Sequence, residues 1–248
     1  MLKMVSIELT NRCSKNCPFC YNHSRSNGEI RWEPEEVIQF ALDCHKHGVE
    51  AFSLGGGEPL EYDGLFNVIE GIKDELYVTI TSNGLLLEHD SFFEEFSHHL
   101  PDKIHLSLHN PENQDELDRI LSTIHKLEAL PVKSGVNLLI SSKNVTEATA
   151  AYRRLLSEGI GPDRIIVLPM KYQDMPSMED LKKVISMGKF QAPGCLLGCR
   201  RPKEFCSVTW DKKAHPCSYS SDKVALETLD FEGLTRALER VCFRPCLL

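Results

Sequence analysis

The sequence lacks any long hydrophobic run. No stretch approaches the roughly 20 consecutive apolar residues that span a bilayer. The N-terminal Met-Leu-Lys-Met-Val also lacks the charged leader, apolar segment and small-residue cleavage site of an export signal. We therefore expect a soluble, cytoplasmic protein with no membrane partner. At 248 residues with 42% hydrophobic and 26% charged residues, the chain is long enough for one α/β body and a smaller appendage.

An excess of positive charge is also missing. The formal net charge is -8, and binding to phosphate backbones depends on clustered lysine and arginine. The compact basic cluster that does exist, Arg200, Arg201 and Lys203, is equally consistent with ordinary solvated surface. We expect no nucleic-acid partner.

Internal repeats and low-complexity segments are absent, and strand-like runs alternate instead with helix-like runs. Strand patterns cover residues 4–9, 51–55, 77–82, 103–108, 134–141 and 164–169, and helix patterns cover 33–47, 63–74, 90–98, 112–129, 144–158 and 177–188. Such alternation is typical of βα units around a parallel sheet. Six units are fewer than the eight of a closed barrel. The sequence therefore predicts a partial (β/α)6 TIM-like barrel, with the sheet open or closed by another element.

The amino-acid composition of the sequence changes near residue 190. Cysteine, glycine, proline and basic residues become dense there, and the βα rhythm stops. A segment of this length with little apolar periodicity builds little core by itself. We predict a barrel domain over residues 1–190 and a small, metal-stapled appendage over residues 191–248.

Ten cysteines are more than an intracellular core needs, and without an export signal a disulfide framework is improbable. Three of them fall within residues 13–20 and six within residues 195–246, with Cys44 between the groups. This distribution predicts a metal-ligand cluster near each end of the chain. Cys44 lies in an apolar helical pattern and is interpreted as a buried thiol.

The N-terminal group, Cys13, Cys17 and Cys20, has the spacing CxxxCxxC and directly follows the first strand pattern. Such a loop lies at the carboxyl end of a strand, where barrel enzymes place their chemistry. Three thiolates hold a 4Fe-4S cluster one ligand short of the four of full protein ligation, which leaves one iron open to a substrate or cofactor. The alternative is a zinc staple that borrows Cys44 or a histidine.

This loop, with aromatic Phe19 just before its last cysteine, resembles the signature of the radical S-adenosylmethionine (SAM) superfamily. The resemblance implies that SAM binds the open iron through its amine and carboxylate. It also implies that one electron from the cluster splits the sulfonium, and that the resulting 5′-deoxyadenosyl radical abstracts hydrogen from a substrate. The protein would supply position and insulation for this cofactor chemistry.

Further positions match the superfamily in register. The turn Gly56-Gly57-Glu58-Pro59 resembles its GGEP element, in which backbone groups and a carboxylate receive the SAM amine. The resemblance implies further cofactor contacts at the ends of the third to sixth strands: Ser82 and Asn83, Ser107 and His109, Asn137, and Leu168 and Met170. The polar members of this set are alternatively turn formers or satisfied core groups.

The C-terminal segment contains Cys199, Cys206 and Cys217, with Phe205 before one cysteine and His215-Pro216 before another. This pattern resembles the start of the SPASM or twitch extension of the superfamily, a β-hairpin that holds an auxiliary iron-sulfur cluster. We predict one auxiliary cluster, of the twitch form and the 4Fe-4S type, because the tail is too short for two. Its implied ligands are Cys199, Cys206, Cys217 and Cys246, with Cys242 as the competing fourth ligand. The hairpin turn at residues 211–213 lacks the usual glycine. Cys195 is left over as a replacement ligand, a free thiol or a catalytic hydrogen donor. A zinc site is the alternative for the whole tail.

An auxiliary cluster suggests an electron acceptor. Removing one electron and a proton from a substrate radical gives a net two-electron oxidation, so we predict a radical SAM enzyme of oxidoreductase type. The substrate is expected to be a small molecule or a separately presented peptide, with a flavodoxin- or ferredoxin-type electron donor. Radical epimerisation, peptide maturation and activation of a glycyl-radical enzyme are alternatives, and a zinc-binding interaction protein is the non-enzyme alternative.

Overall fold

The computed structural model describes residues 1–171, 173–185 and 203–242. Its strands are β1 (Met4–Glu8), β2 (Ala51–Gly55), β3 (Tyr77–Ser82), β4 (Lys103–Leu108), β5 (Lys133–Ile140), β6 (Ile165–Pro169), β7 (Phe205–Val208), β8 (Lys213–His215) and β9 (Val224–Ala225). Its helices are α1 (Pro34–Lys46), α2 (Leu65–Ile72), α3 (Asp90–His98), α4 (Gln114–Leu127), α5 (Val145–Ser157), α6 (Met178–Ile185) and α7 (Phe231–Arg240). No helix of the described segments is long and apolar enough to cross a membrane.

The alternation of β1 to β6 with α1 to α6 confirms the predicted α/β fold, and the predicted elements are found within a few residues of their expected ends. The predicted end of the last helix, residues 186–188, lies outside the described residues. Helix α1 shows why the local sequence was sufficient to predict where an element begins and ends. Glu33 and Glu36 form a capping box, Pro34 occupies the first turn, and Gly48 follows the helix in a left-handed conformation (φ +91°). These features fix where the helix begins and ends.

The chain divides into two compact units. The first contains Met1–Ser82, Glu94–Lys103 and the described part of the C-terminal segment, residues 203–242. Its strands lie in the order β3-β2-β1-β7-β8-β9. Strand β1 pairs in parallel with both β2 and β7, and β2 pairs in parallel with β3. The C-terminal strand β7 therefore extends the N-terminal sheet beyond β1.

The predicted hairpin in the C-terminal segment is confirmed. Strands β7 and β8 pair antiparallel, with Ser207 opposite His215. Lys212 stands in the turn with φ +61°, the left-handed region that the usual glycine would adopt without strain. The Lys212 ammonium binds the carboxylate of Glu36 at 2.8 Å and lies 5.1 Å from the centre of the Trp32 ring. These contacts hold the hairpin against the start of α1.

The second unit contains Asn83–Phe93 and the described residues from Ile104 onward, up to residue 185. Its strands lie in the order β6-β5-β4, and β5 pairs in parallel with β6. Among the described strands, the sheet of neither unit closes on itself.

The core of the first unit follows from strand alternation. Val5, Ile7 and Leu9 of the β1 segment are completely buried and lie on one face, because successive strand residues point to opposite sides. Helix α1 covers the sheet with apolar residues spaced three and four apart, including Phe40 and Cys44. The other face of β1 carries Ser6, Glu8 and, after the strand, Thr10. It is polar and holds the residues described below.

Candidate functional site

The cysteine loop after β1 is anchored through its backbone. Thr10 forms an isolated antiparallel bridge with Ile30, and Arg12 forms a parallel bridge with Arg25. The backbone N–H of Cys13 donates to the carbonyl of Arg25 (N···O 2.9 Å). Residues 25–30 therefore hold the start of the loop, from Thr10 to Cys13, in place.

The glycine-rich turn after β2 packs directly on this loop. The N–H of Gly57 donates to the carbonyl of Thr10 (2.6 Å), and the N–H of Glu58 donates to the carbonyl of Arg12 (2.8 Å). A Cβ atom on Gly57 would lie 2.0 Å from the Arg12 carbonyl oxygen, and one on Gly56 (φ +130°) would lie 2.4 Å from that of Thr10. Only glycine permits this approach, so the two predicted motifs form one backbone assembly.

Glu58 is buried within the first unit, with 2% of its surface exposed. Its Oε1 atom accepts the hydroxyl of Ser82 at 2.7 Å and the N–H of Leu60 at 3.0 Å. Hydrogen bonds of this kind stabilise an ionised carboxylate. The structure therefore brings together two residues that the sequence pattern predicted independently, while Pro59 is buried and starts a short 3-10 helix.

Sequence reasoning missed Glu61, which binds the cysteine loop from this same turn. Its carboxylate accepts the N–H of Ser14 at 3.0 and 3.1 Å and the Ser14 hydroxyl at 2.6 Å. The one available signal was an acidic residue in the first turn of a helix that begins with proline, and this signal ordinarily indicates only helix capping.

The thiols of Cys13, Cys17 and Cys20 are partly exposed and form no disulfide. Burial raises the pKa of Cys13, and the nearby carboxylates of Glu58 and Glu61 raise it further. The backbone N–H groups of Lys15 and Asn16 oppose this effect, as N–H groups beside a thiolate do. In the described residues, no group of three or more His, Cys, Asp and Glu side chains is gathered to hold a metal ion.

The donor chemistry of the loop nevertheless fits an iron-sulfur cluster. Iron-sulfur ligation uses cysteine thiolates at such spacing and N–H groups that point at their sulfur atoms. The loop offers three thiols at CxxxCxxC spacing, N–H groups near the Cys13 sulfur, and a glycine turn that packs closely against its backbone. Phe19, just before Cys20 in the sequence, is half-buried.

In the second unit, the predicted residues at the ends of β3 and β4 are buried or half-buried. The side-chain oxygen of Asn83 accepts a hydrogen bond from the N–H of Leu85 (2.9 Å). The backbone carbonyl of Asn83 accepts one from a guanidinium N–H of Arg119 (3.0 Å). Ser107 is buried. The backbone N–H of His109 donates to Glu116 (2.8 Å), a buried carboxylate that sequence reasoning also missed.

Asn137 of β5 is buried, and its side-chain oxygen lies 3.0 Å from Nδ1 of His105 in β4. This contact gives the Asn137 side chain a polar partner within the second unit. Leu168 and Met170, at the end of β6, are both half-buried, and the N–H of Met170 donates to the carbonyl of Ile140 (2.7 Å).

The C-terminal cysteines differ in environment. Cys206 is 1% exposed, and burial raises its pKa to about 12. It lies near the thiol of Cys44, which is also completely buried. Cys217 is partly exposed and Cys242 is exposed. Cys195, Cys199 and Cys246 lie outside the described residues.

The comparison with protein families decides the assignment. The model of the radical SAM superfamily matches residues 7–181, well over half of the chain. The chain belongs to the radical SAM superfamily. Membership implies a 4Fe-4S cluster and SAM as cofactors of this radical SAM protein.

Several known proteins resemble this radical SAM chain over most of its length. A protein named "Probable GTP 3′,8-cyclase" from Methanocaldococcus jannaschii is 27% identical over 90% of this chain and 87% of its own. A protein of the same name from Saccharolobus solfataricus is 25% identical over 92% of this chain and 86% of its own. The structure of Streptococcus suis SuiB bound to S-adenosylmethionine superposes with a TM-score of 0.70 at 16% identity, over 90% of this chain. This chain spans 63% of SuiB, and the likeness shows a common fold.

Proposed function

We propose that this chain reductively cleaves S-adenosylmethionine and abstracts a hydrogen atom from a small organic substrate. The observation that carries the proposal is the backbone assembly of the cysteine loop and the glycine turn, through the hydrogen bonds of Gly57 to Thr10 and of Glu58 to Arg12. These bonds hold the cysteine loop against the turn that carries the buried carboxylate of Glu58.

Within this assembly the side chains have distinct roles. Cys13, Cys17 and Cys20 would hold the 4Fe-4S cluster, which, when bound, supplies the electron that splits the SAM sulfonium. Glu58 would receive the SAM ammonium group, and its hydrogen bonds with Ser82 and Leu60 orient the carboxylate for this contact. Glu61 restrains the loop through Ser14. For the second unit, Asn83, Ser107, His109, Asn137, Leu168 and Met170 remain proposed SAM contacts.

A small-molecule substrate is favoured by the relatives named GTP 3′,8-cyclase, which match nearly the whole chain, and GTP is a small molecule. We extend this to the present chain as a substrate class. A flavodoxin- or ferredoxin-type protein would supply the electron. Oxidation of the substrate radical to give a net two-electron product remains part of the proposal.

The decisive experiment is anaerobic incubation of the iron-sulfur-reconstituted protein with SAM and dithionite, with 5′-deoxyadenosine measured by chromatography. Wild-type protein is expected to form it, and replacement of Cys13, Cys17 and Cys20 with Ala is expected to abolish it. Cys44→Ala is the matched control, because that thiol is buried in the core and should change stability without removing activity. No product above background with wild-type protein would contradict the proposal.

We further propose that the C-terminal cysteines hold one auxiliary iron-sulfur cluster. Partly exposed Cys217, directly after the β7–β8 hairpin, supports this assignment. Two cubane clusters require about eight irons per chain, and one requires about four. Iron and sulfide analysis of the Cys13/Cys17/Cys20 triple Ala variant tests the point, because the auxiliary iron alone should remain. Absence of iron from that variant, or zinc in its place, would rule out the auxiliary cluster.

A further inference from the structure

The thiols of Cys206 and Cys217, before and after the turn of the β7–β8 hairpin, differ in which face of the first unit's sheet they occupy. Cys206 stands in register with Val5 of β1, and Val5 stands in register with Phe52 of β2. Side chains in register on neighbouring parallel strands point to the same side of a sheet. Each of these three residues is at most 1% exposed. Cys206 therefore shares the buried face of Val5 and Phe52.

Helix α1 covers this buried face. The centre of the Phe40 ring of α1 lies 6.0 Å from that of the Phe52 ring, edge to face. Cys44, one turn further along α1, is completely buried and lies near the thiol of Cys206. Protein interiors are packed as closely as crystals of small organic molecules. Among the described residues, the side chain of Cys206 is therefore enclosed in the core, and such packing leaves no space beside it for four irons and four sulfides.

The segment that carries Cys217 lies on the opposite, polar face. Ser207 follows Cys206 in β7, so its side chain points away from α1. It stands opposite His215 of β8, and its hydroxyl oxygen lies 3.3 Å from that of Ser218. Because Ser218 directly follows Cys217, this contact places the segment after β8 on the face of Ser207. The sheet therefore lies between the regions that the two cysteines occupy.

Two tyrosines connect Cys217 to the cysteine loop. The ring of Tyr21, the residue after Cys20, lies 4.8 Å from the ring of Tyr219, and the Tyr21 phenol interacts electrostatically with Cys217. The backbone N–H of Tyr219 donates to the sulfur of Cys217 (N···S 3.4 Å). Such N–H donors to cysteine sulfur are regular features of iron-sulfur sites. Partly exposed Cys217 therefore has the surroundings of a ligand, whereas Cys206 has those of a core residue.

We infer that Cys206 is a core thiol, packed with Cys44 beneath helix α1, and that the auxiliary cluster forms on the polar face from Cys217 and other C-terminal cysteines. The inference rests on the proposed auxiliary cluster and departs from the ligand set that the sequence pattern implies. A cluster gathers its thiolates around one core of iron and sulfide, and thiols on opposite faces of a sheet cannot both reach it. Cys195 or Cys242 then takes the place of Cys206 in the ligand set.

Alkylation by iodoacetamide, located by peptide mass spectrometry, tests the assignment on the full chain. Reconstituted protein and the same protein stripped of iron by a chelator are each labelled first in the folded state and then in guanidinium chloride. A ligand thiol becomes reactive when its iron is removed, so Cys217 is expected to change from protected to labelled in the folded protein. Cys206 and Cys44 are expected to react only in denaturant, with or without iron. Protection of Cys44 also shows that the core stays folded during the experiment.

Iron analysis in the triple Ala background described above gives a second measurement. Cys206→Ala is expected to retain the auxiliary iron and Cys217→Ala to lose it, with Cys44→Ala as the matched control for a buried thiol. Loss of iron from Cys206→Ala but not from Cys44→Ala, full iron in Cys217→Ala, or labelling of Cys206 together with Cys217 after iron removal would overturn the inference. If the triple variant holds no iron while Cys206 stays protected and Cys217 reacts, the auxiliary cluster fails and Cys206 remains assigned to the core.

Discussion

The hydroxyl of Ser82 donates a 2.7 Å hydrogen bond to Oε1 of Glu58, joining the end of β3 to the glycine turn that follows β2. Both side chains are 2% exposed. In such a setting a hydrogen bond to a charged group contributes about 1.5–3 kcal/mol, and here it also fixes which way the carboxylate faces. Orientation of Glu58 is what the proposed SAM contact requires.

We predict that Ser82→Ala weakens SAM binding by about tenfold, because roughly 1.4 kcal/mol of carboxylate orientation is lost. Equilibrium binding of SAM to the reconstituted protein measures this effect. Ser97→Ala is the control, since its hydroxyl bonds only a backbone carbonyl in an exposed position. Unaltered SAM affinity in Ser82→Ala would mean that the orientation of the Glu58 carboxylate does not contribute to SAM binding.

The contact between the glycine turn and the cysteine loop gives a second prediction. Gly57→Ala places a methyl group 2.0 Å from the Arg12 carbonyl oxygen, whereas a methyl group at Gly55 would lie at an ordinary 3.9 Å from the Ile7 carbonyl oxygen. We expect Gly57→Ala to lose most cluster iron on reconstitution and Gly55→Ala to retain it. Iron content, together with absorbance near 400 nm, makes the comparison. Equal iron content in the two variants would mean that cluster binding does not depend on the close packing of Gly57 against the Arg12 carbonyl.

Much of the fold and part of the site were predictable because they depend on local sequence. Apolar periodicity located the strands and helices, and Gly48 and Gly159, which follow α1 and α5, both adopt the left-handed backbone that commonly ends a helix. The proximity of Glu58 and Ser82 also followed, since side chains at the carboxyl ends of adjacent parallel strands meet at one edge of a sheet.

The unpredicted features depend on contacts between distant parts of the chain. Strand β7 pairs with β1 across about 200 residues of sequence, Met4 with Phe205, and no local pattern encodes a partner. Glu61, Glu116 and Glu8 look like ordinary solvated carboxylates in the sequence. Only the folded chain shows that the first braces the cysteine loop, the second holds His109, and the third is buried beside Asn22.

Burial of Glu8 makes stability depend on pH. Its folded pKa, about 7, exceeds the ordinary value of 4.5, so the folded state retains a proton that the unfolded state has released. The associated stability is fully present below about pH 4.5 and is lost as the pH rises through 7. Between about pH 5.5 and pH 7.5 we expect wild-type protein to lose about 2 kcal/mol more unfolding free energy than Glu8→Gln. Urea unfolding of both proteins tests this, and parallel pH profiles would show that Glu8 titrates normally.

The hairpin turn offers a test that separates backbone strain from side-chain contacts. Lys212 adopts a left-handed backbone (φ +61°) while its ammonium binds Glu36 and lies over Trp32. Lys212→Ala and Lys212→Gly lose the same side-chain contacts, but only glycine adopts this conformation without the penalty of about 1 kcal/mol that a Cβ atom incurs.

We therefore expect Lys212→Gly to be more stable than Lys212→Ala by about 1 kcal/mol and close to wild type, because the relief of strain offsets the lost ion pair. Thermal unfolding at low and high salt measures both effects, since salt weakens the Lys212–Glu36 pair and leaves the backbone preference unchanged. If Ala matched Gly at both salt concentrations, the turn in solution would not be left-handed at residue 212, and the hairpin would owe its position to the Glu36 and Trp32 contacts alone.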